Sequence, residues 1–152
     1  GWVSSNYAAV ACPDFPTCQN HWLPPMDMAD AFVLWRGLGI DYTGGVLDHP
    51  ARVAIHFVHR LGAIVTMIVL VAVAFATFMR GGSARLRLAA VGVLAALALQ
   101  LAIGIGMVLM AFPLSLATLH NAGAALLLLA VVALLRYLKP LSPAYLPGER
   151  RF

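Results

Sequence analysis

Residues 55–66, IHFVHRLGAIVT, set two imidazoles and a guanidinium into a run that is otherwise apolar. A charged group inside a bilayer costs at least a few kcal/mol, so such residues face a bundle interior, a partner or a ligand. His56 and His59 are three apart and share nearly one helical face, with Arg60 beside them. A second polar set, Thr118, His120 and Asn121, interrupts another apolar run, and Gln100 stands alone in a third. Imidazoles in such a setting cross-link helices by hydrogen bonds or ligate a metal through a neutral ring nitrogen. Cys12 and Cys18, the only two cysteines, add thiol and disulfide chemistry near the start of the chain.

The elements that must position these groups follow from composition. Of the 152 residues, 62% are hydrophobic and 11% charged, and the mean hydropathy is +0.88. A soluble domain of this size cannot bury that much apolar surface. No acidic residue occurs between Asp48 and Glu149, and the runs 51–79, 85–112 and 113–138 each exceed the ~20 residues needed to cross ~30 Å of hydrocarbon. The expected fold class is an all-α integral membrane protein with three complete transmembrane helices. Residues 1–50 form a loop domain before them, and residues 139–152 a tail. The stretch GWVSSNYAAVA is too short and polar to span. It reads as the outer end of a helix whose body lies upstream, with a short loop tail as the alternative.

Charge orients the bundle. All five aspartates (14, 27, 30, 41 and 48) precede the first span, whereas Arg80, Arg85 and Arg87 lie in the first link and Arg136, Lys139, Arg150 and Arg151 close the chain. The positive-inside rule then predicts extracytoplasmic residues 1–50 and a cytoplasmic C-terminus. The net charge of +4 is thus a topology signal, with no aromatic-interleaved stripe to suggest nucleic acid.

The first and third spans run in the same direction, so depth can be compared. His59 lies eight residues from Ala51 and His120 seven from Pro113, or roughly 12 and 10 Å below one surface. The two imidazoles are therefore expected to face each other across a slot. Small neighbours (Gly62, Ala63, Gly123, Ala124, Ala125) and the lack of carboxylates suit a flat apolar macrocycle with axial nitrogens, and haem iron takes such ligands. His56, one turn nearer the surface, would line the edge of the macrocycle or donate to a propionate. Arg60 either snorkels to the headgroups or pairs with a propionate. Gln100 is expected to join helices, and Met107 and Met110 to pack.

In the loop, ACPDFPTC spaces its cysteines by five residues and carries two prolines. An oxidising compartment favours a disulfide between Cys12 and Cys18 that holds a lid; free thiols and a metal pair are the alternatives. The stretch MDMADAFVLWRGLG, with Asp27 as cap and Gly37 and Gly39 at its end, predicts a short amphipathic helix at the headgroup level, with Trp22 nearby. His21 and His49 are read as bystanders.

Taken together, GWVSSNYAAVACPDFPTC, IHFVHRLGA and QLAIGIGMVLMAFPLSLATLHNAGAALLLL closely resemble the C-terminal half of haem A synthase. This inner-membrane enzyme oxidises a methyl group of haem O to the formyl group of haem A for terminal oxidases. The resemblance implies two four-helix halves, of which this chain supplies the last outer loop and the last three helices of a half-bundle. It further implies a haem b cofactor with His59 and His120 at the ligand positions, and Cys12 and Cys18 at the loop cysteines. Haem O bound in the other half, a haem O synthase, an electron donor, membrane lipids and a second copy of the chain are the partners it suggests. One departure bears on activity. In the reacting half a glutamate stands three residues before the histidine, where this chain has His56, so no catalytic residue is expected here. The resemblance thus implies that the full-length protein is the enzyme and that this segment holds cofactor and either passes electrons or stabilises the fold. Two other classes share some of these features: an independent bis-histidine cytochrome b subunit, and a membrane thiol oxidoreductase using Cys12 and Cys18. The latter class ordinarily needs a second cysteine pair, which the chain lacks.

Overall fold

A computed structural model describes residues 1–39, 41, 43–80 and 83–138. Its elements are a single turn α1 (Trp2–Ser5), a 3-10 turn (Ala9–Ala11), a second single turn α2 (Met28–Ala31), and three long helices, α3 (His49–Met79), α4 (Ala84–Leu109) and α5 (Leu114–Leu138). The last three are long and apolar enough to cross a membrane, and the chain is an all-α membrane protein. The basic tail from Lys139, including Arg150 and Arg151, lies outside the described residues.

At 31 residues, α3 is about 46 Å long, well beyond the ~30 Å of a hydrocarbon core. The excess is used at the loop end. Asp48 is its N-cap residue in extended conformation and Pro50 sits in the first turn, where a missing N–H costs nothing. The turns that follow lie under the loop. Ala51, Ala54 and Ile55 pack with Ala8, Ala31 and Leu47, while Val53 packs with Ala11, Cys12 and Cys18. The helix therefore begins at His49, two residues before the expected span, and its first turns support loop rather than lipid.

Around α4 the packing differs. A cluster of Ala74 from α3, Ala90 and Val93 from α4, and Leu134 from α5 closes the bundle at the end away from the loop. α4 packs on both neighbours, chiefly α5, while α3 and α5 make little direct contact. The apolar run expected to continue to Phe112 stops at Leu109, and the backbone shows why. Ala111 and Phe112 both take positive φ, 57° and 61°. Ala111 N–H donates to the Val108 carbonyl at 3.2 Å and Phe112 N–H to Met107 at 2.8 Å. These two bonds form a Schellman cap with alanine in the position glycine usually holds. Pro113 then blocks continuation and α5 begins.

The predicted amphipathic helix over 26–39 shrinks to α2. Asp27 caps it as expected, its carboxylate accepting from Asp30 N–H at 2.9 Å. Arg36 then bonds both the Asp30 carbonyl and carboxylate, each at 2.6 Å, folding the chain back before a second turn forms. Gly37 and Gly39 follow with φ of 96° and 80°. Trp22, Leu34, Trp35 and Leu38 are left exposed on this side.

Candidate functional site

The hairpin at the loop end lays α5 against α4, which also packs on α3, and His59 and His120 face each other from the two outer helices. Their ring centroids are 6.3 Å apart with 76° between the planes. His59 is exposed and His120 half-buried. Gln100, from α4, points its amide nitrogen at His120 Nε2, 3.3 Å away, whereas His120 Nδ1 is buried without a hydrogen-bond partner. Among the described residues no three His, Cys, Asp or Glu side chains cluster closely enough to hold a metal ion. Two imidazoles alone are too few for a bare ion, which takes four or more ligands. They suffice for a metal whose remaining positions are already filled.

A second constellation secures the loop above this pair. His56 is buried and its Nδ1 donates to the Ala8 carbonyl at 3.1 Å. The ring of Phe112, delivered by the Schellman turn, stands edge-on to it at 6.2 Å. Arg60 donates to the carbonyls of Thr17 at 2.7 Å, Asp14 at 2.8 Å and Cys12 at 3.2 Å, and lies over the Phe15 ring at 5.8 Å from its centroid. The two sulfurs of Cys12 and Cys18 stand 2.02 Å apart, and both residues are almost fully buried.

Local chemistry explains why this loop offers carbonyls in that direction. Cys18 and His21 exchange both backbone hydrogen bonds, 3.0 and 3.1 Å. Gln19 and Asn20 between them have φ of 55° and 61°, the geometry of a type I′ turn. Asp14 holds that turn from below. Its carboxylate accepts from the Thr17 hydroxyl, from Gln19 N–H at 2.5 Å and from Asn20 N–H at 3.0 Å. The Thr17 hydroxyl first, and then the two backbone donors, hold its carboxyl below the usual range despite some desolvation.

Comparison with known sequences decides the family. The family model of the cytochrome oxidase assembly proteins COX15-CtaA matches residues 1–132. The chain belongs to that family. The heme A synthase of Shewanella oneidensis is 44% identical over 134 residues, covering 88% of this chain and 40% of that protein. The heme A synthase of Rhodospirillum centenum is 38% identical over 118 residues, covering 78% of this chain and 29% of its own length. The chain thus spans less than half the length of the curated relatives it matches. No solved structure matches it significantly.

Within this COX15-CtaA chain, the structure brings together His59 and His120, and separately His56 and Arg60 with the cysteine loop. Arg60 turns both its terminal nitrogens to loop carbonyls, those of Thr17, Cys12 and Asp14. The small residues divide in a way the sequence did not show. A Cβ on Gly62 would meet nothing within 4 Å, whereas Gly123 lies directly against the Gln100 side chain. His49 accepts from the Gln19 amide at 2.5 Å, and His21 bonds the Gln19 carbonyl at 2.6 Å. Phe112 and Phe15 escaped the sequence reading, which places Gly104 toward the outer side of the middle helix without a role. Spacing carried a signal for that glycine: Gly104 follows Gln100 by four, and Gly123 follows His120 by three, the intervals of helical neighbours.

Proposed function

We propose that this chain is the cofactor-holding part of a haem A synthase, in which His59 and His120 would hold a b-type haem. The observation that carries the reading is the separation of the two rings. An imidazole nitrogen binds a first-row metal at about 2 Å, so two such bonds plus the reach from each nitrogen to its ring centre come to roughly 6 Å. The rings stand 6.3 Å apart. The unpartnered Nδ1 of His120 and the two-imidazole donor set suit a macrocyclic metal rather than a bare ion.

When bound, the haem supplies one-electron chemistry at its iron, with the surrounding protein setting the potential. The work of the chain is to hold and enclose. His59 and His120 grip from two helices that α4 keeps side by side. His56, Phe112 and the loop pinned by Arg60 cover the approach from the loop end. No carboxylate lies anywhere in the spans, so no side chain there supplies a carboxylate base. The oxidation of the haem O methyl group to the formyl group of haem A then belongs to the full-length protein, with haem O held outside this segment. A haem O synthase, an electron donor, membrane lipids and a second copy of the chain remain the partners this reading suggests. The five aspartates before α3 and the arginines of the 80–87 link favour an inner-membrane location with the loop extracytoplasmic.

Burial of Cys12 and Cys18 against Val53 favours a disulfide that holds the loop over one that exchanges with thiols. The decisive experiment is the absorption spectrum of the purified chain. One haem per chain with a reduced low-spin b-type band is expected. His59→Ala or His120→Ala removes that band, and His49→Ala leaves it. A chain that stays colourless after reconstitution with excess haem overturns the reading.

A further inference from the structure

The ring of His120 is addressed by one protein side chain, and that side chain is itself wedged. Gln100 comes from α4 and meets His120 Nε2 at 3.3 Å. On one side of the contact, a Cβ added to Gly104 would lie 3.0 Å from His120 Cε1. On the other, a Cβ added to Gly123 would overlap Gln100 Oε1. Alanine would favour either helix by about 1 kcal/mol over glycine. Both helices thus accept their poorest non-proline residue where the amide and the imidazole need the room. General close packing does not explain this, because a Cβ on Gly106, two residues beyond Gly104, would meet nothing within 4 Å.

The amide also does less than an interhelical tie would do. Gln100 Oε1 is buried without a partner, so the side chain is committed to the ring at one end and to nothing at the other. Turning the amide over exchanges donor for acceptor, so Gln100 can serve His120 in either tautomer. We propose that Gln100 is a positioning residue that fixes the plane of the His120 ring relative to His59, and that Gly123 acts through it by keeping the amide seated. Groups that orient metal-ligating histidines in this way commonly matter to the ligation almost as much as the ligands do. The proposal rests on the haem reading and requires that Nε2 stay with Gln100, so that the unpartnered Nδ1 is the nitrogen that would hold the metal.

The test uses the full chain in detergent, loaded with haem, and compares wild type with Gln100→Met, Gly123→Ala and Gly106→Ala. The readouts are the g-values of the oxidised low-spin centre, which follow the angle between axial imidazole planes, and the rate of haem loss. Gln100→Met and Gly123→Ala are expected to shift the g-values in the same sense and to weaken haem retention by about tenfold. Gly106→Ala should match wild type. An unchanged spectrum in Gln100→Met, or a shift in Gly106→Ala as large as in Gly123→Ala, overturns the proposal. Should Gln100→Met fail to fold, as judged by its helical circular dichroism, Gly123→Ala alone decides. A colourless wild type would instead overturn the haem reading. The ring claim then stands or falls on the nitrogen-15 resonances of His120, which Gln100→Met should shift and Gly106→Ala should not.

Discussion

The two histidines of the slot are held by opposite means. On the α3 side, support comes from far along the chain: Arg60, next to His59, is fastened to carbonyls of residues 12, 14 and 17. On the α5 side, support comes from within the helical pair, where Gln100 meets His120 and glycines on both helices make room. One arrangement depends on an irregular loop being folded first, the other on helical register. The difference teaches that the two supports should fail independently, since Arg60 and Gln100 share no partner and distant residues of that kind have nearly additive effects.

Breaking the α3 side should produce the largest effect. Arg60→Ala leaves three loop carbonyls without their charged donor, and hydrogen bonds to charged groups contribute about 1.5–3 kcal/mol. The loop is expected to lose about 3 kcal/mol of local stability. Amide hydrogen exchange over residues 8–21 should rise sharply while the α4–α5 helices stay protected. Lysine should not rescue, since a single ammonium cannot span carbonyls that a planar fork reaches. Equal loosening of α5 would defeat the claim of independence.

Next in size is the cysteine pair. Replacing Cys12 and Cys18 with serine removes a short loop closure worth about 2 kcal/mol. Limited proteolysis between residues 12 and 21 should accelerate, and the Arg60 effect should shrink in that background because both act on one loop. A smaller change is expected at Phe112, whose edge-on contact with the His56 ring contributes about 1 kcal/mol. Phe112→Leu should raise exchange at Ala8 and its neighbours without touching Gln100.

The smallest effect sharpens the comparison through pH. The Asp14 carboxyl titrates below its ordinary value of 3.8 when folded. A group lowered in this way adds stability that is whole above that value and is lost as pH falls through the lower folded one. Because Asp14 is only partly buried and water screens it, the change should be well under 1 kcal/mol. Loop exchange should quicken below about pH 4 in wild type and lose that step in Asp14→Asn. The α5 side has no such group, so the environment of His120 should not follow this titration.

Much of the architecture was legible before any coordinates. Three apolar runs separated by an arginine link and a Phe-Pro turn give three spans, since length and hydropathy are properties of contiguous residues. His59 and His120 could be matched in depth for the same reason: rise per residue converts sequence distance into height. The helix expected over 26–39 was lost because Arg36 found Asp30, a contact that periodicity does not encode. The small residues beside the histidines were read as one class, yet Gly62 faces open space and Gly123 faces an amide.

Sequence by itself determined the class, the number of spans, the family and the pair of histidines at one depth, because each is written in local composition, spacing or a linear motif. Tertiary structure alone decided which partner each polar side chain took: Arg60 with loop carbonyls, His56 with Ala8, His120 with Gln100. Those choices depend on the rotation of one helix about its axis relative to another, and on a loop turned back by a type I′ hairpin. No stretch of residues specifies either until the whole chain has packed.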